Sequence, residues 1–132
     1  MSASDQIALA REMLEALNAQ DDEAVLVAMH EDVELVPLIV DIEGGPFRGH
    51  DGVRRWLAAR AEVWGTMRVE QIDLRTVGNV VLGRGVLSGV AQGSGVAIAE
   101  PIFGVLRFRG DLVAWIGFFR TEAEALESAG ID

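Results

Sequence analysis

The segment from Val77 to Phe119 constrains the fold of this chain more than any other part of the sequence. It holds three runs rich in β-branched and aromatic residues, separated by turn-forming clusters at Gln92–Gly95 and Arg109–Asp111. This pattern predicts three long strands joined by two tight connections. A meander of this length forms a curved sheet, and we expect helices from the first half of the chain to cover one of its faces.

The rest of the chain is predicted to be mainly helical. Apolar residues at helical spacing, together with capping residues and acids in the first turns, indicate four helices. They are predicted to run from a Ser4–Asp5 cap to Leu17, from Asp22 to Met29, from Arg48–Gly52 to Trp64, and from Thr121 to Gly130.

Two further strands and one irregular segment complete the prediction. A turn at His30–Asp32 is expected to precede a short strand over Val33–Val36, which Pro37 ends, and a strand over Thr66–Thr76 leads into the meander. Residues 38–47 contain an apolar run, two acids and Gly44-Gly45-Pro46. We interpret them as a mobile loop or a short edge hairpin beside the mouth of a cavity.

Length and composition exclude several classes of protein. At 132 residues the chain is expected to be one domain, residues 1–132, and the 11 basic residues, all arginines, are scattered among 21 acids, which disfavours a nucleic-acid partner. No apolar run is long enough to cross a membrane, and the N-terminus does not resemble a signal peptide, so we expect a cytoplasmic protein. Cysteine, lysine and tyrosine are all absent, which excludes thiolate, Schiff-base and tyrosine-acid mechanisms.

The order of the elements and several short segments resemble the SnoaL-like branch of the nuclear transport factor 2-like superfamily. The resemblance covers nearly the whole chain. It is carried by Ala16–Ala19 with Asp21, His30–Glu34, Phe47–Val53, Val81–Arg84 and Ala123–Glu127 with Ala129–Ile131.

This resemblance implies an α+β fold, in which a curved, mostly antiparallel sheet wraps around the N-terminal helices as a cone, the cystatin-like α+β roll. The cone would enclose an apolar pocket for a hydrophobic small molecule, with no cofactor. Members of the superfamily include isomerases, epoxide hydrolases, dehydratases, polyketide cyclases and proteins that only bind ligands or partners.

A homodimer is the expected oligomeric state, because relatives commonly dimerise through the convex face of the sheet. The last predicted strand agrees with this expectation. Both of its faces, Val113, Trp115, Gly117 and Phe119 on one side and Leu112, Ala114, Ile116 and Phe118 on the other, are apolar. Both faces must therefore be covered, and a second copy of the chain is the simplest cover for the face that the helices leave open.

Ketosteroid isomerase chemistry is not expected. The resemblance carries the tyrosine position of steroid isomerases onto Met13, the general base onto Val36, and the oxyanion-holding acid onto Phe103 or Gly104. None of these side chains can move a proton or hold an oxyanion.

Two glutamates are the candidate catalytic residues. Glu100 interrupts an apolar strand and shares the face of Ile98 and Ile102 by the two-residue alternation, so a pocket carboxylate there would suit acid or base work. The structural alternative pairs Glu100 with Arg84 or Arg107 at a dimer interface. Glu34 shares a face with Val36 and is the second candidate; its alternative is a solvent-facing position on an outer strand.

The candidate ligand-binding residues are Arg84, for an anionic group, and the apolar Trp64, Met13, Val36, Phe103 and Ile102. For Arg84 the alternative is a structural salt bridge, and for Trp64 and its helix neighbour Trp56 it is core packing. His30 and His50 are interpreted as cap or turn residues. With two histidines 20 residues apart, no metal site is expected.

Three functions remain open on this reasoning. The first is an enzyme that uses Glu100 or Glu34 for proton transfer in an isomerisation, cyclisation or hydrolysis. The second is a non-catalytic carrier of a hydrophobic ligand, and the third is a dimeric protein-interaction domain. A cavity with a buried carboxylate would favour the first, a cavity without an ionisable group the second, and a filled cavity the third.

Overall fold

The fold, taken from a computed structural model, is a six-stranded open sheet with helices on both faces. The structure describes residues 2–38, 45–65, 67–90 and 93–130, with Val63 and Trp64 described by their backbone only. In chain order the elements are α1 (Ala3–Asn18), α2 (Asp22–Val27), β1 (Met29–Val36), β2 (Phe47–Arg48), α3 (Gly49–Trp64), β3 (Arg68–Val77), β4 (Val80–Val90), β5 (Ala97–Arg109), β6 (Leu112–Phe119) and α4 (Glu122–Ser128).

The sheet has the strand order β2-β1-β6-β5-β4-β3. β1 runs parallel to β6, and the other described pairs of neighbouring strands are antiparallel. The β4–β5 pair keeps one register from Val80↔Arg107 to Val90↔Ala97, whereas the β3–β4 register shifts between Glu70 and Asp73. This shift is a β-bulge, a feature that bends a strand and increases its twist.

Local signals in the sequence explain the ends of the helices. Ser2 and Asp5 form a reciprocal capping box at the start of α1: the Ser2 hydroxyl accepts from the Asp5 N–H at 3.1 Å and the Asp5 carboxylate from the Ser2 N–H at 3.3 Å. Asp21 caps α2 and Thr121 caps α4 in the same way, by accepting from a backbone N–H of the first turn.

Two hydrophobic clusters pack against opposite faces of the sheet. The larger cluster joins the concave face to α1, α2 and α3, and includes Leu14, Leu17, Val53, Trp56 and Leu106. The smaller cluster lies on the convex face, where Ala125 of α4 packs over Val80, Leu82 and Val105. α4 therefore supplies part of the cover that the convex face needs.

The predicted α+β architecture and its three long strands are confirmed. Two local predictions are wrong. The turn expected at His30–Asp32 is part of β1, because the pairing of Met29 with Val113 of β6 and of Glu34 with Trp115 draws the whole segment into the sheet. The first helix begins at Ala3 with Ser2 as its cap, since the side chain of Asp5 completes that box from inside the helix.

The irregular segment before α3 is described only in part. Its end, Phe47–Arg48, forms the short edge strand β2 and pairs with β1. Residues 39–44, which include the two acids of the predicted loop or hairpin, lie outside the described residues.

Candidate functional site

Two adjoining apolar cavities lie between the concave face of the sheet and the helices α1 and α3. The outer cavity has about 430 Å³ of empty space, counting the solvent at its mouth, and the inner cavity about 360 Å³. Both cavities are narrow. Val69, Ile102 and Phe118 line both cavities, so the two cavities adjoin at these three side chains.

The lining side chains come from helices and strands that are distant in the sequence. The outer cavity is lined in addition by Leu17, Leu38, Trp56, Arg60, Met67 and Leu87. The inner cavity is lined in addition by Leu14, Ile72, Gly83, Arg84, Gly85, Phe103, Gly104, Leu106 and Ile116. An apolar site with few polar groups is the usual form of a small-molecule pocket.

Trp56 and Arg60 bring the polar groups of the outer cavity. They lie one turn apart on α3, on the same face of the helix. The Trp56 ring stacks on Phe118, with 5.9 Å between the ring centroids and 16° between the planes. The Arg60 guanidinium lies 6.0 Å from the centroid of the Trp56 ring, and its Nη2 donates to the Met67 carbonyl at 3.0 Å.

The Trp56 indole nitrogen is the one buried side-chain polar atom without a hydrogen-bond partner among the described residues. An unpaired buried N–H costs about 1–3 kcal/mol of desolvation free energy.

Among the described residues, no carboxylate and no histidine lines either cavity. Arg60 is the titratable side chain of the outer cavity. The inner cavity is bordered by Arg84, but this residue pairs with Asp73 across the sheet at 3.6 Å and its side chain is 66% exposed. The described lining of the two cavities is therefore mostly apolar, and Arg60 is the charged residue that lines the outer cavity.

Glu100 lies at the edge of this site. It is paired across the sheet with Leu87, a lining residue, and lies two positions before Ile102, so it belongs to the concave face. Its side chain is exposed and lines neither cavity, whereas the apolar strand predicts a carboxylate inside the pocket. Glu100 lies in the first part of β5, where Ala97 and Ala99 are exposed as well. The two arginines that were its candidate partners contact other groups: Arg84 pairs with Asp73, and Arg107 donates to the Ser128 carbonyl.

Glu34 lies away from the cavities. It pairs in the sheet with Arg48 of β2 and Trp115 of β6, and its carboxylate contacts the Arg48 Nε at 3.1 Å. Residues that are paired across neighbouring strands point to the same face of a sheet. Trp115 packs against the smaller cluster on the convex face, so its partner Glu34 belongs to the convex face as well. The structure thus gives this side chain an ion pair at a sheet edge.

Of the six predicted ligand-binding residues, Ile102 lines both cavities. Arg84 and Phe103 border the inner cavity from the strands, although their own side chains lie on the convex face, where Phe103 packs against the smaller cluster. Met13 is buried in the larger cluster and does not line a cavity, and Val36 is paired with Gly117 on the convex face. The side chain of Trp64 lies outside what the structure describes.

The two histidines hold local structure. His30 Nδ1 lies 3.0 Å from the Asp32 N–H and accepts from it, and His50 Nε2 lies 3.0 Å from the Met29 carbonyl. In the described parts of the chain, no three His, Asp or Glu side chains are grouped so that they could hold a metal ion.

Sequence reasoning missed Arg60 and Leu87 as lining residues and assigned Trp56 to the core. The spacing of Trp56 and Arg60 by one helical turn is visible in the sequence. What the sequence lacks is the rotation of α3 about its axis, which decides whether this pair faces solvent or the sheet.

The family of the chain follows from a comparison with family models. The model of the SnoaL-like domain matches residues 10–116. The chain belongs to the SnoaL-like domain family. No curated protein sequence matches the chain significantly.

Solved structures share the SnoaL-like fold over nearly the whole chain. A nuclear transport factor 2-like protein of unknown function from Burkholderia pseudomallei is similar at 22% identity, with a TM-score of 0.81 and 96% of this chain and 97% of that chain covered. TerC, co-crystallised with polyporic acid, is 22% identical, with a TM-score of 0.80 and coverage of 93% and 96%. A candidate polyketide cyclase from Xanthomonas campestris is 18% identical, with a TM-score of 0.77 and coverage of 95% and 96%.

None of the described helices of this SnoaL-like protein is both long and apolar enough to cross a membrane.

Proposed function

We propose that this SnoaL-like protein binds a small, largely apolar molecule in the two concave cavities, with the polar end of that molecule at Arg60. The observation that carries the proposal is the apolar lining of two adjoining cavities, which share Val69, Ile102 and Phe118. A cavity of this kind excludes strongly polar ligands, because their groups would lose water without gaining hydrogen bonds. A guanidinium at the outer end favours a ligand that carries an anionic oxygen there.

The comparisons support a hydrophobic metabolite as the ligand. TerC was crystallised with polyporic acid, and other structural neighbours are named as candidate polyketide cyclases. Their identity to this chain is too low to transfer a substrate, so they support the class of ligand and no particular compound.

Binding of 2-naphthoate, an apolar two-ring molecule with one carboxylate, tests the proposal by isothermal titration calorimetry. Leu87→Trp should fill the outer cavity and lower the affinity by tenfold or more, since Leu87 lines it from β4. Val90→Trp is the matched control, because Val90 lies on the same strand, is exposed and lines neither cavity.

We expect the control variant to bind as the unmodified protein does. An unmodified protein that takes up no 2-naphthoate at millimolar concentration would contradict the proposal, as would a Leu87→Trp variant with unchanged affinity.

An acid/base enzyme is the second candidate function, and the position of Glu100 favours it. Glu100 lies on the concave face directly across from Leu87, next to the outer cavity, where a carboxylate could accept a proton from a bound ligand. Its exposure weakens this candidate, because water competes with a bound ligand for a carboxylate that is not shielded from solvent. The ligand-binding function therefore comes first.

Exchange of α-protons in D₂O, followed by proton NMR, separates the two functions. The probe is 2-tetralone, an apolar ketone with acidic protons. An enzyme that uses Glu100 should speed the exchange, and Glu100→Gln should reduce that effect by about 10²-fold or more. A protein that speeds no exchange, or a Glu100→Gln variant as active as the unmodified protein, would remove Glu100 from a catalytic role.

A further inference from the structure

Gly104 lies in the middle of β5, in a part of the sheet with regular pairing. It is opposite Gly83 of β4 and Phe118 of β6, and the register is unbroken at both pairs. A glycine inside a strand weakens the sheet, and it often marks a bulge, a tight bend or a place where a ligand approaches the backbone closely. No bulge lies at Gly104, since the β5–β6 register shifts only between Arg107 and Phe108.

The local geometry does not require a glycine at this position. Gly104 is not among the residues with positive φ, so an L-residue can adopt its backbone conformation. A Cβ atom added at Gly104 would meet the Gly117 carbonyl oxygen at 3.7 Å and the Phe118 Cδ1 at 3.9 Å, which are ordinary contacts.

Gly85, on the neighbouring strand, is a position where the packing of the sheet does require a glycine. A Cβ atom there would lie 2.7 Å from the Val69 Cγ1 and 2.9 Å from the Glu70 carbonyl oxygen. Gly85 faces the bulge of β3, where the partner backbone comes close. Packing of the sheet thus accounts for Gly85, whereas it does not account for Gly104.

Gly104 lines the inner cavity, and a side chain there would extend over the concave face beside Phe118. We propose that Gly104 determines the size of the ligand by keeping the inner cavity open, so that an elongated molecule places its apolar end against the sheet at Gly104 and its polar end near Arg60. This inference rests on the proposed function, because it assumes that the two cavities hold one ligand.

The expected length of the ligand depends on whether it occupies the outer cavity alone or both cavities. In this arrangement a molecule with one ring occupies the outer cavity alone, whereas a molecule with two fused rings extends past Ile102 and Phe118, which line both cavities, into the inner one. Gly104 therefore selects for the longer of the two.

Aromatic carboxylates of two lengths test the inference by calorimetry: benzoate with one ring and 2-naphthoate with two. Gly104→Ala and Gly104→Val add side chains of increasing size to the inner cavity. Loss of room for one methylene or methyl group typically costs about tenfold or more in affinity. We expect Gly104→Val to weaken 2-naphthoate by at least about tenfold, Gly104→Ala by less, and benzoate to change by less than about twofold in both.

Ala99→Val is the matched control. Ala99 lies on the same strand as Gly104 but is exposed and lines neither cavity, so its enlargement should leave both affinities unchanged. A thermal melt of each variant establishes that it is folded. If Gly104→Val does not fold, Gly104→Ala, whose added atom makes only ordinary contacts, decides the question.

The outcomes separate this inference from the proposed function. If the unmodified protein binds neither probe, both fall together. If it binds 2-naphthoate and the Gly104 variants bind it equally well, or lose benzoate to the same extent, the size-selecting role of Gly104 is overturned while the ligand-binding function stands.

Discussion

At the scale of single residues, replacement by alanine is expected to change the free energy of unfolding differently at Gly85 and at Gly104. Gly85→Ala should lower the free energy of unfolding by about 1–3 kcal/mol, because the added Cβ is forced against Val69 and the Glu70 carbonyl. Gly104→Ala should leave it unchanged or raise it by up to about 1 kcal/mol, since alanine loses less backbone entropy on folding than glycine. Urea denaturation measures both, and equal effects of the two changes would contradict the contacts inferred at these positions.

Glu100 gives a second prediction at this scale. Its side chain is exposed and makes no ion pair or side-chain hydrogen bond with another described residue. Glu100→Gln should therefore change the free energy of unfolding by no more than about 0.5 kcal/mol, as is usual for a surface substitution. A loss of several kcal/mol in a thermal or chemical melt would show that the carboxylate has a buried partner after all.

At the scale of elements, one side chain links α1 to the edge strand β3. The Asn18 Nδ2 donates to the Val69 carbonyl at 2.7 Å, and its Oδ1 accepts from the Val69 N–H at 2.9 Å. The amide thus pairs with β3 as a further strand would, and satisfies backbone groups on the exposed edge of the sheet. Val69 also lines both cavities, so this link fixes one wall of the site.

Replacement of Asn18 should destabilise the protein. Asn18→Ala leaves a partly buried backbone N–H and C=O without partners, for which we expect a loss of about 1–3 kcal/mol in urea denaturation. Asn79→Ala, in the exposed β3–β4 turn, is the matched control and should be nearly neutral. Equal stability of the two variants would show that the Asn18 link contributes nothing to the fold.

At the scale of the whole molecule, the homodimer expected from the sequence stays a prediction. α4 covers one part of the convex face, and Trp115 and Phe119 beside it remain only half-buried. The Trp115 ring lies over Gly117, where a Cβ atom would overlap it, and the Arg107 guanidinium lies 5.1 Å from its centroid. A second copy of the chain would remove these aromatic surfaces from water.

Light scattering at micromolar concentration should give twice the chain mass of 14.2 kDa. Phe119→Arg should shift the protein toward the monomer, because a buried, unpaired charge at an interface is costly. Val27→Glu, which places a charge on a side chain that is already 76% exposed on α2, should leave the mass unchanged. A monomeric unmodified protein would contradict the dimer.

The sequence by itself determined the curved sheet and most of its elements. Alternation and turn residues are local signals, so the limits of β4, β5 and β6 could be predicted closely. The sequence also predicted Ile102 as a ligand-binding residue, because the two-residue spacing along β5 identifies the residues that share a face, and Ile102 lines the outer cavity.

Only the tertiary structure decided which of those residues are covered. Glu100 and Ile102 lie on the same face of the same strand, yet Glu100 is exposed and Ile102 is buried, because elements distant in the sequence cover only one of them. The same holds for Gly85 and Gly104, both of which are glycines within predicted strands. A Cβ atom at Gly85 would clash with β3, whereas one at Gly104 would make only ordinary contacts. Burial and close contact depend on elements that are distant along the chain, and local patterns carry no information about the distance between them.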